Sequence, residues 1–490
     1  MKKKPPMIDL AAIALHAMEK YSFAARYPGS VMREAADAAA GLPQRLPGAR
    51  DMRDLLWSSI DNIDSGDLDQ LEYCERLPED RIHVFVAIAD VDTYVPKGSA
   101  TDRYAARNGT SVYTGITTFP MLPDVLSKGI TSLLPMQDRL AIVSEYTVLP
   151  DGSLQYGGIF PALVNNKAKL VYEETGEWLA GRREIPARIR NTPGLEAQVR
   201  LQHELSLRLR KERMRQGALD LETLEASPLI DNGVVKELIV VAQNPARIII
   251  EELMVAANRM TIMALERAGL PVIERVVRTP KNWEGIVETA KALGERLPKT
   301  PDAKALSAFL TKRRAADPER FPDLSLTVVK LMGPGEYMML PPCGDPYGHF
   351  ALAVTDYTHA TAPNRRYPDL VNQRLIKSVL LHLPPPYTPE ELTDLAIHLT
   401  DREKAAKKVE RFMGKAAAAV LLRDRIGDIF DGIITGASDK GTYVRVIGPP
   451  AEGRVIEGER GLFVGQKVRV RLLAVDAYHA FIDFAFVGRR

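Results

Sequence analysis

The spacing of apolar positions predicts helices at the start of the chain and strands after them. Near the N-terminus, apolar residues recur at helical intervals: Leu10, Ile13, Ala14, Ala17 and Met18. We expect residues 7 to about 42 to form two short helices, the second beginning near Ser30 and ending at Gly41. Beyond residue 50, apolar runs alternate with loops rich in proline and glycine. The predicted strands are 82–91, 111–119 and 140–148.

Longer helical patterns dominate the second half of the chain. Helices are predicted at 195–215, 246–268, 366–382 and 390–422. After residue 424, short strands separated by glycine turns return, which is typical of a small β-barrel. The whole pattern predicts an α+β fold, with a mixed sheet and helices followed by this barrel.

An acidic stretch lies at residues 59–70. It contains the aspartates Asp61, Asp64, Asp67 and Asp69. Serine and glycine between them favour a loop, in which the carboxylates can converge on one point. Carboxylates held together resist ionisation unless a cation lies among them, and their oxygen atoms suit magnesium or manganese. The stretch therefore predicts a divalent-cation site, with a solvated acidic turn as the alternative.

Composition places the chain among globular proteins. Its 490 residues allow about two to four domains, and 46% hydrophobic with 26% charged residues is ordinary for a soluble protein. Because the net charge is only +2, a nucleic-acid partner would need a local basic surface. Cys74 and Cys343 are too far apart to suggest a disulfide framework, which fits a reducing cytoplasm. Asp9 and His16 interrupt the first apolar run, so we expect a cytoplasmic protein with no membrane segment.

Short motifs in a fixed order resemble those of the RNase II/RNase R (RNB) family of exoribonucleases. They are RDL at 53–55, ID at 60–61, DLD at 67–69, VAIADV at 86–91, TSVY at 110–113, PMLP at 120–123, IEELMVAAN at 250–258 and YTHATAPNRRYPDL at 357–370. The resemblance implies an RNB catalytic domain, expected here at 51–423. It also implies processive 3′→5′ hydrolysis of single-stranded RNA to 5′-nucleoside monophosphates, with magnesium (or manganese) as the cofactor.

The same resemblance supplies candidate catalytic residues. Asp61, Asp67 and Asp69 match the family's metal-binding aspartates, and Arg365 matches the arginine that contacts the scissile phosphate. Gln70 departs from the family pattern, which usually has a second aspartate at this position. Its amide oxygen is still a candidate metal ligand. In the same motifs, Asp64 is expected to be a turn residue and Arg366 to pack or pair structurally, whereas His359 and Thr361 receive no chemical role.

Other residues are candidates for binding the substrate. Tyr172 matches a family tyrosine that stacks near the 3′ end of the RNA, and Glu410 matches a glutamate near the active site. Residues 424–490 resemble an S1-type RNA-binding domain, an OB-fold. There, Phe430 and Tyr443 would stack on bases beside Arg445. The alternative is that both aromatic rings simply pack the barrel.

Two segments have alternative interpretations, and one residue departs from the family pattern. Residues 1–50 form either a small module similar to a helix-turn-helix or a cap on the catalytic domain. This segment is too short for the family's cold-shock barrels, so we expect a more open entrance that admits structured RNA. The basic residues of 195–215 form either a rim that attracts phosphates or a solvated helix face. Leu221 lies where relatives often have an aromatic ring, which would change the grip on short RNA ends.

Two other functions are compatible with these features. A chain in which Gln70 has weakened the cation site would serve as a non-catalytic RNA-binding scaffold. A metal-dependent phosphodiesterase acting on DNA or small nucleotides would need the same acidic loop. The sequence does not distinguish these substrates, because RNA specificity depends on contacts with the 2′-hydroxyl group. The sequence does not identify any protein partner.

Overall fold

The computed structural model describes residues 8–41, 47–222, 226–231, 234–240, 243–318, 320–345, 347–438 and 441–489. The first two helices are α1 (Leu10–Lys20) and α2 (Gly29–Ala40), as predicted. Asp9 caps α1 by accepting a 3.0 Å hydrogen bond from the backbone N–H of Ala12. The buried face of α1 consists of the apolar residues whose spacing predicted the helix. Within the described residues, no helix is both long enough and apolar enough to cross a membrane.

A seven-stranded mixed sheet forms the centre of the molecule. In chain order the elements are β1 (Arg50–Asp51), β2 (Ser58–Asp61), β3 (Gln70–Arg76), β4 (Ile82–Ala89), α3 (Ala100–Asn108), β5 (Val112–Tyr113), β6 (Thr118–Phe119), β7 (Asp138–Val148), β8 (Leu154–Asn165), β9 (Ala168–Val171), α4 (Tyr172–Leu179) and α5 (Ala187–Arg190). The strand order is β1-β8-β7-β4-β3-β2-β9. The predicted strand at 111–119 is instead the two-stranded pair β5-β6, separated by a turn. The apolar run of β4 lies between β7 and β3 and is buried along almost its whole length.

Helices cover this sheet. The next elements are α6 (Leu195–Gln216), β10 (Ala226–Asp231), β11 (Val234–Val240), α7 (Pro245–Arg267), β12 (Val272–Val276), α8 (Trp283–Ala292), α9 (Ala303–Ala316), α10 (Phe321–Met332), β13 (Glu336–Leu340) and α11 (Tyr367–Leu380). The helices α6, α7 and α11 contact the sheet and share one large hydrophobic core with it. The helices α8 to α10 surround a smaller core of their own.

A long helix leads into a closed barrel. The remaining elements are α12 (Pro389–Leu422), β14 (Ile429–Ser438), β15 (Gly441–Val446), β16 (Glu452–Glu457), β17 (Lys467–Asp476) and β18 (Phe481–Arg489). Thr388 and Glu391 form a capping box at the start of α12. The five strands close in the order β14-β15-β16-β18-β17. The predicted α+β fold with a C-terminal OB-type barrel is therefore confirmed.

The N-terminal helices are attached to different parts of the molecule. The apolar face of α1 shares a hydrophobic core with the C-terminal half of α12 and with the barrel. In contrast, α2 lies against α3, where Glu34 Oε2 accepts a 2.6 Å hydrogen bond from the backbone N–H of Thr101. These separate attachments favour the interpretation of the two helices as a cap.

Candidate active site

The acidic stretch forms the loop between β2 and β3. Asp61 ends β2 and Gln70 begins β3, so both lie at the same end of these two neighbouring strands of the central sheet. Asp67 and Asp69 lie in the intervening loop, and Asp69 is almost completely buried with 1% of its surface exposed. Asp64 is exposed at the tip of the loop, as expected for a turn residue. Three of the four aspartates, Asp61, Asp67 and Asp69, therefore lie near the start of β3.

Side chains from distant parts of the chain hold this loop in place. Lys169 Nζ donates a 2.5 Å hydrogen bond to the carbonyl oxygen of Ser65. Ser132 Oγ donates to the carbonyl oxygen of Gly66 at 2.7 Å and accepts from the backbone N–H of Leu68 at 2.9 Å. Because these partners lie on other elements, the positions of the aspartates depend on the assembled fold.

Arg365 meets the acidic loop through Asp69. Its Nε donates a 3.2 Å hydrogen bond to Asp69 Oδ2, and the backbone N–H of Asn364 donates to Asp69 Oδ1 at 3.0 Å. The carboxylate is thus held by two successive residues that lie almost 300 positions further along the chain. Burial raises the pKa of Asp69 to about 7, although the positive charge of Arg365 opposes this shift. The Arg365 side chain keeps 42% of its surface exposed, so it remains accessible to a ligand.

Asp67 completes the acidic side of the site, next to a tyrosine. Burial raises its pKa, and the negative charge of Asp61 raises it further, while Arg365 lowers it. Tyr113 lies with its hydroxyl group 3.5 Å from Asp67 Oδ2 and is 40% exposed. No role was predicted for Tyr113, although it ends one of the motifs that resemble the family. Its place in that motif was the signal that could have identified it.

Gln70 is followed on the same strand by a second buried acid, Glu72. Gln70 is 7% exposed and Glu72 is fully buried. Neither carboxylate oxygen of Glu72 has a hydrogen-bond partner among the described residues. Burial raises the pKa of Glu72 well above its ordinary value, and the charge of Asp61 adds to this effect. The sequence pattern gave no reason to single out Glu72, because an isolated glutamate in a strand usually faces solvent.

Arg366 has a structural role, as predicted. Its Nη2 donates a 2.7 Å hydrogen bond to Asp369 Oδ1, and this oxygen also accepts from the backbone N–H groups of Thr361 and Ala362, each at 2.8 Å. Together these bonds fix the turn from which Arg365 extends.

His359 Nδ1 lies 2.8 Å from the Tyr337 hydroxyl oxygen. Desolvation lowers the pKa of this histidine well below its ordinary value.

Of the substrate-binding candidates, Tyr172 interacts electrostatically with the acidic residues. It begins α4, and the charges of Asp61 and Glu72 add to the effect of burial in raising its pKa. The guanidinium carbon of Arg247 lies 4.4 Å from the centroid of the Tyr172 ring, a cation–π contact. Glu410 is half-buried on α12, which also contacts β5, the strand that carries Tyr113.

Of the barrel residues predicted to bind RNA, Phe430 is not available for stacking. Phe430 is only 4% exposed, and its ring packs edge-on against Phe484 with the centroids 6.3 Å apart. The prediction that Phe430 stacks on bases is therefore wrong, because the ring belongs to the barrel core. Arg445 forms an ion pair with Asp323 of α10, so its charge is already engaged. Tyr443 is half-buried, with Lys415 Nζ 5.5 Å from its ring centroid, and its stacking role remains a prediction.

The arginines of α6 are also engaged by carboxylates. The ion pairs are Arg200 with Glu196, Arg208 with Asp80 and Glu204, Arg210 with Asp220, Arg213 with Glu251 and Glu252, and Arg215 with Glu212. These acidic partners offset most of the positive charge of the helix. The structure therefore does not support the prediction that the helix forms a rim that attracts phosphates. The Leu221 side chain is partly buried and packs against the core formed by α8 to α10.

The oxygen atoms of the site suit a hard divalent cation. The donors are the carboxylates of Asp61, Asp67 and Asp69 and the amide oxygen of Gln70. Among the described residues, no three side chains of His, Cys, Asp or Glu converge closely enough to surround an ion by themselves. Magnesium usually binds only one or two carboxylates and retains several waters, so this donor set fits such an ion without a complete protein cage.

Comparison with known proteins agrees with this arrangement. Residues 49–382 match the RNB domain, and residues 428–487 match the RNase II-type exonuclease C-terminal S1 domain. Ribonuclease R of Aquifex aeolicus is 29% identical over 504 residues, covering 96% of this chain and 70% of that protein. The chain spans between 59% and 71% of the length of the curated ribonuclease R relatives that it matches.

Solved structures share the fold at lower sequence identity. Mycoplasma genitalium RNase R in complex with ribose methylated single-stranded RNA has a TM-score of 0.88 and 22% identity, covering 98% of this chain and 78% of that chain. The same protein in complex with double-stranded RNA has a TM-score of 0.85. Yeast Ssd1, described as a pseudonuclease, has a TM-score of 0.71 and 16% identity, covering 95% of this chain and 59% of that chain. On the match over residues 49–382, the chain belongs to the RNB domain family.

Proposed function

We propose that this protein is a 3′→5′ exoribonuclease that degrades single-stranded RNA processively to 5′-nucleoside monophosphates, with magnesium or manganese as its cofactor. The single observation that carries this proposal is the contact between Arg365 Nε and Asp69 Oδ2 inside the acidic loop. This contact places a planar cation beside a group of carboxylates, and phosphodiester hydrolysis requires both kinds of charge. Membership of a family whose curated relatives are named ribonuclease R supports the choice of substrate and direction.

Asp61, Asp67, Asp69 and Gln70 would hold the cation. When bound, it would lower the pKa of a water molecule and neutralise charge on the phosphate. In the proposed reaction a water molecule would attack phosphorus, the bond from phosphorus to the 3′ oxygen would break, and the released nucleotide would keep its 5′-phosphate. The 3′ oxygen takes up a proton and becomes the new end of the RNA.

Arg365 would stabilise the additional negative charge of the transition state. Within the described residues its side chain is hydrogen-bonded only through Nε, which leaves the terminal nitrogen atoms as donors for phosphate oxygens. A planar guanidinium group suits this task better than a lysine ammonium group, because two of its N–H groups point in the same direction. Tyr172 and Tyr113 both border the acidic loop, where their rings would contact the last bases of the RNA.

The test uses a 5′-labelled unstructured RNA and a DNA of the same sequence, each incubated with magnesium or with EDTA and resolved on a gel. We expect the RNA to disappear into a short labelled product with few intermediates, only when metal is present. Asp69→Asn should abolish this activity. Asp64→Asn is the matched control, because Asp64 is an exposed aspartate of the same loop and should be dispensable. Internal cleavage, or equal degradation of DNA, would contradict the proposal.

Structured RNA forms a separate part of the proposal. We propose that the enzyme advances into a duplex that carries a single-stranded 3′ overhang. Support comes from the similarity in fold to an RNase R that has been studied in complex with double-stranded RNA. In the same gel assay, products shorter than the overhang would show this advance, whereas arrest before every duplex at all overhang lengths would exclude it.

A non-catalytic RNA-binding scaffold is the second candidate function. Gln70 in place of an acid and the shared fold with a pseudonuclease favour this alternative. An unaltered protein that binds RNA but is inactive at every magnesium or manganese concentration would support the scaffold. Activity that appears only in Gln70→Asp would support it as well.

A further inference from the structure

Glu72 occupies an unusual position beside Gln70. The two residues are two positions apart on β3, and alternate side chains of a strand project from the same face of the sheet. Glu72 is paired with Ser58 of β2, the strand that ends at Asp61. Burial raises the pKa of Glu72, and the charge of Asp61 on the neighbouring strand adds to this effect. The strand geometry therefore places the Glu72 side chain on the same face of the sheet as that of Gln70, next to the strand that ends at Asp61.

The Glu72 carboxylate has no satisfactory partner within the described chain. Its two oxygen atoms are buried without a hydrogen bond, and the nearby Ser58 Oγ and Gln202 Oε1 are also buried without one. Leaving a buried polar group unsatisfied costs about 1–3 kcal/mol, and more for a charged group. No side chain of the described residues forms a hydrogen bond with the Glu72 oxygen atoms, whether the acid is ionised or protonated. A species from outside the described chain would satisfy them.

A cation satisfies these groups better than water does. Water would bring no charge to offset the repulsion between Asp61 and Glu72, whereas a divalent cation attracts both carboxylates. Among the described residues, the hydrogen bonds to Asp61 end on Oδ1, from Asn62 N–H at 2.7 Å and Ser65 Oγ at 2.8 Å, so Oδ2 is left for a ligand. Two carboxylates and one amide oxygen, completed by water molecules, form a common magnesium environment.

We propose that Glu72 supplies the carboxylate that Gln70 lacks, and that Asp61, Gln70 and Glu72 together bind one divalent cation. This inference rests on the proposed function, and it assigns to the same site a ligand that lies outside the acidic motif. The negative charge that an aspartate at position 70 would carry is found instead two residues further along β3, on Glu72.

The test measures binding of Mn²⁺ to the full-length protein without RNA, with free Mn²⁺ quantified by electron paramagnetic resonance. Glu72→Gln should weaken binding by about tenfold or more, since loss even of groups that only support a ligand often costs 10–100-fold. The double variant Gln70→Asp/Glu72→Gln returns the carboxylate to the loop and should recover most of the affinity. Glu75→Gln is the matched control, because Glu75 lies on the same strand but is exposed, and it should bind as the unaltered protein does.

Unchanged manganese affinity in Glu72→Gln would overturn the inference and assign Glu72 to a buried, water-filled site. Should Glu72→Gln not fold, Glu72→Asp decides the question. This variant keeps the charge but withdraws it by one methylene, so reduced affinity supports the proposal and unchanged affinity overturns it. Nuclease activity is not part of this measurement. A protein that binds manganese through Glu72 yet fails to degrade RNA would refute the proposed function alone.

Discussion

Replacing Asp69 by asparagine should change the stability of the metal-free protein in a way that depends on pH. Asp69 is buried, and its pKa rises from an ordinary 3.8 to about 7 in the folded protein. An acid with a higher pKa in the folded than in the unfolded chain contributes stability below its unfolded pKa. That contribution is lost as the pH rises through the folded pKa. Asparagine does not ionise, so the variant avoids this loss.

The magnitude follows from the two pKa values. Each unit of difference corresponds to about 1.36 kcal/mol, so ionisation of Asp69 costs about 1 kcal/mol of folding free energy at pH 4.5 and about 4 kcal/mol at pH 8.5. Asparagine loses one acceptor for the hydrogen bonds from Asn364 N–H and Arg365 Nε, at a cost of about 1–3 kcal/mol that does not vary with pH. Relative to the unaltered protein, the variant should therefore gain about 3 kcal/mol between pH 4.5 and pH 8.5.

Urea unfolding in EDTA at several pH values measures this difference directly. Asp64→Asn is the control, because Asp64 is exposed and its replacement should leave the pH dependence unchanged. A constant free-energy difference between Asp69→Asn and the unaltered protein at all pH values would refute the argument, since it would mean that Asp69 titrates normally. The same variant should lose RNA hydrolysis while it retains or strengthens RNA binding, because a buried negative charge near the phosphate is removed.

Four further predictions concern Arg365, the barrel and Gln70. Arg365→Lys keeps the charge but loses the planar donor geometry, so the single-turnover rate should fall about 10²–10³-fold with little change in RNA affinity; an unchanged rate would count against its role. Phe430→Ala should cost about 3–5 kcal/mol of unfolding free energy without altering RNA affinity of the folded protein, because the ring lies in the barrel core. Tyr443→Ala should do the opposite and weaken RNA binding by about 1–3 kcal/mol, measured by fluorescence anisotropy; equal affinity would remove it as a stacking residue. Gln70→Asp should lower the magnesium concentration at half-maximal rate, and a higher requirement would contradict its assignment as a weak ligand.

Local pattern determined most of the secondary structure. The helical spacing from Leu10 to Met18 corresponds to α1, and the apolar run at 82–91 corresponds to the buried strand β4. Glycine turns between short strands predicted the barrel. Helix and strand periodicities need only neighbouring residues, so one sequence is enough to identify them. The same holds for the acidic loop, whose chemistry follows from the residues that it contains.

The tertiary structure alone decided which groups meet. Asp69 and Arg365 come together because the loop after β2 and the turn before α11 lie against the same part of the sheet. The fold also placed Phe430 inside the barrel and paired the α6 arginines with acids, although the sequence made both look available to RNA. Among the described residues, it also left Glu72 buried without a hydrogen-bond partner, on the strand that begins at Gln70. Burial and long-range pairing depend on the path of the whole chain, which no local pattern encodes.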